Sequence, residues 1–472
     1  MHLSPARILN FIRREAVLCC AALAALASTL FVPPSAAYIS YFDFRVLCLL
    51  FCLMAVVAGL RGCGLFEALA LRLLRGKKTL RFLALMLVLL PFFSSMLVTN
   101  DVALLTFVPF AILILNMADA SAYAPYIIVL QTVAANLGSM ATPVGNPQNL
   151  FLYNRFALSP ADFFRTMLPL AAASLALLCM GVLFVPPRAV TVAMGDVHGY
   201  NTRRLPALSV LFVLCLLCVF RVAPYQLLTA VVLAMLTLFM RDLFREVDYS
   251  LLLTFVFFFI FAGNMGKIGG VNALLSALMD KHALPTCVLA SQVVSNVPAA
   301  VLLSGFSQNW RVLLTGTNLG GLGTPIASLA SLISLKLYAR SAPGGTRRYL
   351  LVFSAVNVAA LALLYALAAA GGPAAALLPF CRSEIPPHAP PSASAAEHKT
   401  AAAPQGAAAA FCAVFCRDAY AWLAATAQAT VAPTMGLLPM PIRPIISTCA
   451  GTEDEPANWA SPCMRPMESV RP

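Results

Sequence analysis

A motif that occurs twice inside long apolar segments limits the folds open to this chain. Residues 136–150 read NLGSMATPVGNPQNL and residues 318–332 read NLGGLGTPIASLASL, with six of fifteen positions identical. Gly, Pro and amide side chains break a helix, and a bilayer offers no water to the backbone groups that a break leaves unpaired. Such breaks persist where they line a cavity. Two of them in corresponding places predict two related halves that each contribute a broken helix to one polar pocket.

Composition places these halves in a membrane. Of the 472 residues, 61% are hydrophobic and 10% are charged, and the mean hydropathy is +0.87. That leaves too little polar surface to cover a soluble globule of this size. Apolar runs of about 17 to 25 residues recur through the first 370 residues, as membrane-spanning helices require. The net charge of +13 comes from Lys and Arg residues spread over loops, so we expect the lipid bilayer, and no nucleic acid, as a partner.

The predicted architecture is an all-α polytopic membrane protein made of two inverted-topology repeats with broken helices and re-entrant hairpins. The similarity extends upstream of the motif, because the apolar segments that begin at Asp43 and Asp248 also resemble each other. We expect about nine spans plus two hairpins. The predicted divisions are a first repeat at 1–186, a linker with a connecting span at 187–222, a second repeat at 223–371 and an Ala/Pro-rich low-complexity tail at 372–472.

The distribution of Lys and Arg predicts the orientation in the membrane. With a cytoplasmic N-terminus, the loops predicted to face inward carry most of these residues, as the positive-inside rule requires. We therefore expect a multi-pass protein of the cell membrane, inner or plasma. Residues 1–37 also resemble a secretory signal. We interpret them as an uncleaved first helix, because the second half has a counterpart at residues 226–240.

Four interruptions place hydrogen-bonding groups within apolar sequence: two short tips and the loops of the two broken helices. A single Gly or Pro is more often a kink than a site, but recurrence in register favours a site. The candidate substrate- and ion-binding residues are Thr99, Asn100, Asp101, Asn136, Thr142, Pro143, Gly145 and Asn146 in the first half, and Ser295, Asn296, Val297, Asn318, Thr324 and Pro325 in the second. Asn149, Thr317 and Ser328 add polar groups to the loops.

The chemistry expected of these breaks is ion and solute binding. Freed carbonyls at a half-helix C-terminus suit a cation, and N–H groups at a half-helix N-terminus suit an anion. Asp101 is the charged exception, and an ionisable residue at membrane depth is by default a functional hypothesis. Asp43 and Asp248 fall at predicted helix starts, where we interpret them as caps.

At these motifs the chain resembles the ion transporter superfamily, which includes divalent anion:sodium symporters, citrate-metal transporters, arsenite permeases and one group of sodium/proton antiporters. The likeness covers about residues 40–370. Residues 99–101 and 295–297 match the family's Ser-Asn-Thr tips, and residues 142–146 and 324–328 match its Thr-Pro loops. The resemblance implies Na⁺ at Asn100 and at Asn296, substrate between the tips, and a homodimer.

The chain departs from the family pattern at the last residue of each tip. The family's Thr is Asp101 in one half and Val297 in the other. That Thr is associated with carboxylate substrates, so its loss weakens the case for a dicarboxylate. An acidic tip fits proton coupling, a cation or a neutral oxyacid such as arsenite at least as well.

The leading hypothesis is a secondary active transporter of a small anion, organic carboxylate or inorganic oxyanion, coupled to Na⁺ or H⁺ and without another cofactor. The alternative is a Na⁺/H⁺ or arsenite antiporter centred on Asp101. An enzyme is not expected, since the sequence has no Zn-binding HExxH, nucleophile elbow or Walker A motif. A passive channel is the remaining alternative, although two inverted hairpins build a gated central site more naturally.

Overall fold

The computed structural model describes residues 15–64, 76–192, 203–342 and 344–370. The sequence predicts a short amphipathic segment at 65–74 and a low-complexity tail at 372–472, and both lie outside the described residues. The α-helices are α1 (Ala16–Thr29), α2 (Phe44–Gly62), α3 (Leu80–Val98), α4 (Asn100–Met117), α5 (Ala124–Ser139), α6 (Pro147–Arg155), α7 (Pro160–Val182), α8 (Leu205–Val219), α9 (Tyr225–Phe239), α10 (Tyr249–Lys267), α11 (Gly269–Val294), α12 (Asn296–Leu303), α13 (Trp310–Leu319), α14 (Leu329–Ser341) and α15 (Thr346–Ala369).

Capping residues mark the starts of two helices, and a kink divides a third. The Asp43 and Asp248 carboxylates cap α2 and α10 by accepting the Val46 and Leu251 N–H groups, each at 3.0 Å, as the sequence predicts. The helix α11 is kinked at His282, which has φ −137° and ψ 46°. Its first part covers residues 271–279, for which the sequence predicts a short amphipathic segment.

A two-stranded antiparallel ribbon within the described residues is an element that the all-α prediction missed. Strand β1 (Gly76–Thr79) pairs with β2 (Ala189–Val192), with Gly76 opposite Val192. Each strand has four residues, too few for an alternating pattern to be recognised. The pairing holds the start of α3 close to the end of α7.

Six helices in the described ranges are long and apolar enough to cross a membrane: α2, α3, α4, α7, α10 and α15. Shorter apolar helices are α1, α8 and α9. Large apolar side chains remain exposed on many of these helices, for example Leu26 at 67% and Leu238 at 69%, as expected where lipid replaces water. The chain is therefore a helical, multi-pass membrane protein. The number of spans and the inversion of the repeats stay predictions.

The two broken helices interlock the halves. In the first half the break separates α5 from α6, and in the second it separates α13 from α14. The short helix α6 packs against α12 and α13 of the second half, while α14 packs against α4 and α5 of the first. Every residue of α5 except Tyr126 is buried. This packing brings both tips, the first loop and part of the second loop into the interior.

Candidate functional site

The two tips have the same backbone geometry. Thr99 joins α3 to α4 with φ 70° and ψ 150°, and Ser295 joins α11 to α12 with φ 76° and ψ 157°. Residues with a side chain rarely adopt this region, which costs on the order of 1–3 kcal/mol and persists only where the surroundings enforce it. Asn100 and Asn296 each accept, through Oδ1, the N–H of the next residue at 3.0 Å. The chain therefore breaks in the same way in both halves.

Asn149 holds the first loop, between α5 and α6, in shape. Its Nδ2 lies near three carbonyl oxygens, those of Ser139 at 3.4 Å, Met140 at 3.3 Å and Thr142 at 3.1 Å. Asn146 caps α6 by accepting the Asn149 N–H at 2.9 Å. These bonds satisfy backbone groups that the broken helix leaves free.

The first loop is also packed tightly against its own helix and against the first tip. A Cβ atom at Gly145 would lie 2.1 Å from the Ser139 carbonyl oxygen, so only glycine fits there. The Thr142 hydroxyl donates to the carbonyl of Met96, three residues before the Thr99 tip. The loop and the tip are thus tied together.

Gln292 plays a matching part in the second loop, between α13 and α14, and sequence reasoning missed it. Its Nε2 donates to the Gly320 and Leu322 carbonyls, both at 2.8 Å, and its Oε1 accepts the Thr324 N–H at 2.8 Å. The residue stands three positions before the Ser295 tip, the position of Met96 in the first half. An amide inside an apolar helix is the signal that would have found it.

A hydrogen-bond network joins the halves around Asn136. Its Oδ1 accepts from Asn100 Nδ2 at 3.0 Å and from the Ser328 hydroxyl at 2.9 Å. Its Nδ2 donates to the Ser331 hydroxyl at 3.3 Å. The neighbouring Ala327 carbonyl accepts the Asn296 N–H at 2.9 Å. One chain of contacts therefore runs from the first tip, through the second loop, to the second tip.

A second polar bridge crosses between the halves at Asn318. Its Oδ1 accepts from Asn146 Nδ2 at 3.0 Å, and its Nδ2 donates to Asn149 Oδ1 at 2.6 Å. All three amides are buried. Because a buried unsatisfied amide costs about 1–3 kcal/mol, these pairings fix how the two loops meet.

Three predicted site residues lie apart from this polar centre. Val297 is buried in the apolar core, at 8% exposure. Thr324 is exposed and Pro325 is partly exposed, at the outer edge of the second loop. Pro143 in the first loop is buried. The two Thr-Pro motifs are therefore alike in sequence but differ in their access to solvent.

A cavity of about 500 Å³ opens beside the first tip. Thr99, Asp101 and Asn146 line it, together with residues of α2, α10 and α14. None of the second-tip residues 295–297 lines it. The first tip and the first loop thus both line this cavity. The second tip does not line it and contacts the second loop instead, through the hydrogen bond from the Asn296 N–H to the Ala327 carbonyl.

Asp101 is a partly buried acidic residue of this cavity. Its Oδ1 is buried and has no hydrogen-bond partner. The residue sits in the first turn of α4, and its carboxylate interacts electrostatically with that of Asp248 across the cavity. A lone carboxylate oxygen without donors is poorly stabilised at this depth, so a proton or a cation would neutralise it.

The charges that line the cavity are predominantly acidic. Four carboxylates and two basic side chains belong to the lining: Glu15, Asp101, Glu246 and Asp248, with Arg61 and Lys336. Clefts with an excess of one sign concentrate the opposite sign. The cavity as a whole therefore favours cations and neutral solutes over multiply charged anions. The described residues contain no group of three His, Cys, Asp or Glu side chains that could hold a metal ion.

Comparison with known proteins identifies the family. The profile of the citrate transporter family matches residues 6–309. An uncharacterised transporter of Methanocaldococcus jannaschii is 32% identical over 336 residues, 69% of this chain and 89% of its own length. The inner membrane protein YbiR of Escherichia coli is 32% identical over 301 residues, 62% of this chain and 80% of its own.

A plant relative matches a shorter part of the chain. The silicon efflux transporter of Oryza sativa is 34% identical over 143 residues, which is 29% of each chain. Broken helices, paired tips and an intramembrane cavity are the features of a transporter, and the matches agree with that reading. This chain is a membrane transporter that belongs to the citrate transporter family, within the ion transporter superfamily.

Proposed function

We propose that the protein is a secondary active transporter driven by protons, with Asp101 as the proton-binding group. The observation that carries this proposal is a carboxylate with a buried, unpartnered oxygen that lines a cavity within the membrane domain. A group placed in this way can take up a proton from the cavity and release it again. The family's tip motif has Thr at this position, so the proposal concerns a residue that departs from that motif.

The proposed solute is a small species that is neutral or cationic when it binds, such as a weak oxyacid or Na⁺. Support comes from the acidic excess of the cavity, in which Asp248 and Glu246 accompany Asp101. The loss of Thr at both tips also argues against a dicarboxylate. The solute would lie beside the Thr99 tip and the first loop.

A small anion, such as an organic carboxylate or an inorganic oxyanion, is the second candidate. Arg61 and Lys336 favour it, because both line the cavity and a guanidinium group binds carboxylates well. The description of the family also names citrate. Na⁺ is the second coupling ion, with Asn100 and Asn296 as its proposed ligands.

Flux into liposomes that contain the purified protein tests these proposals. A pH gradient and a Na⁺ gradient are imposed separately, and uptake of radiolabelled citrate, arsenite and Na⁺ is measured. We expect uptake to follow the pH gradient and to favour arsenite or Na⁺ over citrate. Flux that persists unchanged when both gradients are collapsed would rule out secondary transport, and citrate uptake alone would favour the second candidate.

Asp101→Asn tests the proton-binding role. The substitution keeps the size of the side chain and removes its proton exchange, so we expect the pH dependence of flux to be lost. Asp119→Asn is the matched control, because the Asp119 side chain is 97% exposed. An unchanged pH profile in Asp101→Asn would remove this residue from proton coupling, whatever the solute.

We also propose that the halves are inverted repeats, with the divisions predicted from the sequence and a cytoplasmic N-terminus. The identical geometry of the tips at Thr99 and Ser295 supports a repeat. Labelling of single cysteines introduced at Asp119 and Ser307 by a membrane-impermeant reagent tests the inversion, since these positions should react from opposite sides.

A further inference from the structure

A second pocket, of about 430 Å³, lies at the helix ends away from the cavity of the first tip. The start of α2 and the turn between α8 and α9 form it, and its lining includes Arg45, Arg221, Tyr225 and Gln226. It shares no lining residue with the larger cavity. The proposed transport function leaves this pocket without a role.

Both arginines are held in place by backbone oxygens rather than by carboxylates. Arg45 Nη2 donates to the Cys218 carbonyl at 3.1 Å, and Arg221 Nη2 donates to the Tyr153 carbonyl at 3.0 Å. The Arg221 guanidinium also lies over the Tyr153 ring, 5.4 Å from its centroid. Each guanidinium has five N–H groups, so these single bonds leave most of its donors free. Arg45 Nε is buried and has no partner.

The positive charge at this pocket is only partly balanced. Among the described residues, no carboxylate lies within ion-pair distance of Arg45 or Arg221. Asp43 is the acidic neighbour that interacts electrostatically with Arg45, but its carboxylate already caps α2 and also interacts with Arg155. The two guanidinium groups repel each other. An anion between them would relieve this repulsion and use the free donors.

The surroundings of the pocket are those of a bilayer interface. Val222 lines the pocket at 72% exposure, and Leu227 is 58% exposed in the first turn of α9. The helices α8 and α9 are short and predominantly apolar. Basic pockets between membrane helices bind the headgroups of anionic lipids, and guanidinium groups match phosphate oxygens in pairs. The volume falls within the range of about 300–1,000 Å³ typical of small-molecule sites.

We propose that Arg45 and Arg221 form a phosphate-binding site at the membrane interface, separate from the transport site. Its ligand is a phosphate group, supplied either by an anionic phospholipid headgroup or by inorganic phosphate. The free N–H groups of both arginines hold the phosphate oxygens, with Tyr225 and Gln226 beside them. The proposal rests on no part of the transport mechanism.

Binding to the purified full-length protein in an uncharged detergent tests this site. The probes are phosphatidylglycerol and inorganic phosphate, with phosphatidylcholine and NaCl at matched ionic strength as references, and the readouts are thermal stabilisation and native mass spectrometry. We expect Arg45→Gln and Arg221→Gln each to weaken binding at least tenfold. Arg165→Gln is the matched control, because Arg165 is an exposed arginine outside this pocket and should bind as the wild type does.

Each outcome decides the proposal. Binding of phosphatidylglycerol alone supports the site with a lipid ligand, and binding of phosphate alone supports it with a soluble ligand. No binding above the references, or equal loss in all three variants, overturns it. If a glutamine variant does not fold, competition between phosphate and phosphatidylglycerol on the wild type and binding by Arg45→Lys decide instead. Lysine keeps the charge but loses the paired donors, so weaker binding by Arg45→Lys is expected.

Discussion

Replacing Gly145 with alanine should distort the first loop and stop transport. The added Cβ would lie 2.1 Å from the Ser139 carbonyl oxygen, whereas ordinary contact begins near 3.4 Å. The loop must therefore move by roughly 1 Å against a backbone atom that cannot rotate away. Overpacking typically costs about 1–3 kcal/mol, and we expect the upper end of that range or more. The shift would also move Asn146, which lines the cavity and bonds to Asn318.

The assay compares unfolding in mixed detergent micelles with flux in liposomes. Gly266→Ala is the matched control, because its Cβ would meet nothing within 4 Å and alanine is favoured over glycine in a helix by up to about 1 kcal/mol. We expect the control to match or exceed wild-type stability and to transport normally. A Gly145→Ala protein with wild-type stability and flux would refute the steric argument.

Three further predictions concern the tips, the second loop and the surface. Asn100→Ala and Asn296→Ala should each abolish flux while the purified protein keeps its helical circular dichroism, because each removes the polar side chain of a tip, proposed as a Na⁺ ligand, and little core packing. Near-normal flux in either would count against the tip assignment. Gln292→Ala should destabilise the protein by about 1–3 kcal/mol, since the Gly320 and Leu322 carbonyls lose a donor while water can replace the acceptor at the exposed Thr324 N–H, and an unchanged free energy of unfolding by denaturant titration would contradict this. The Arg204 hydrogen bond lowers the pKa of Asp242 below its ordinary 3.8, so this exposed pair stabilises at neutral pH and the contribution is lost as pH falls through the lowered pKa. Arg204→Gln should therefore cost a little stability at neutral pH and nothing in strong acid; an equal cost at both would contradict the assignment.

The helix breaks could be predicted because the residues at each break are themselves helix-capping or helix-breaking residues. Asn146-Pro147 has the form of a cap followed by proline at the first helical position, and the start of α6 is found there. Thr99 and Ser295 precede asparagines in otherwise apolar sequence, and the chain breaks at both. Such signals are local, so one sequence suffices to find them.

What could not be predicted depends on partners distant in the chain. The ribbon pairs residues 76–79 with residues 189–192, and no local sequence pattern predicts a pairing between segments so far apart in the chain. In the sequence, Gln292 is a single amide in an apolar helix. Its role becomes visible only in the structure, where it donates to the Gly320 and Leu322 carbonyls. The exposure of Thr324 and the burial of Val297 likewise depend on packing. The sequence motifs are similar in the two halves and do not predict this difference.

The exchange of α6 and α14 between the halves has a consequence for biogenesis. During synthesis the N-terminal half emerges first, with Asn146 and Asn149 already made and their partner Asn318 still to be translated. Until α13 is made, Asn149 Oδ1 lacks the donor and Asn146 Nδ2 lacks the acceptor that Asn318 supplies, and the bilayer core has no water to replace them. We therefore expect the polar groups of the newly synthesised first half to contact the insertion machinery or water, and not lipid, until the second half has been inserted.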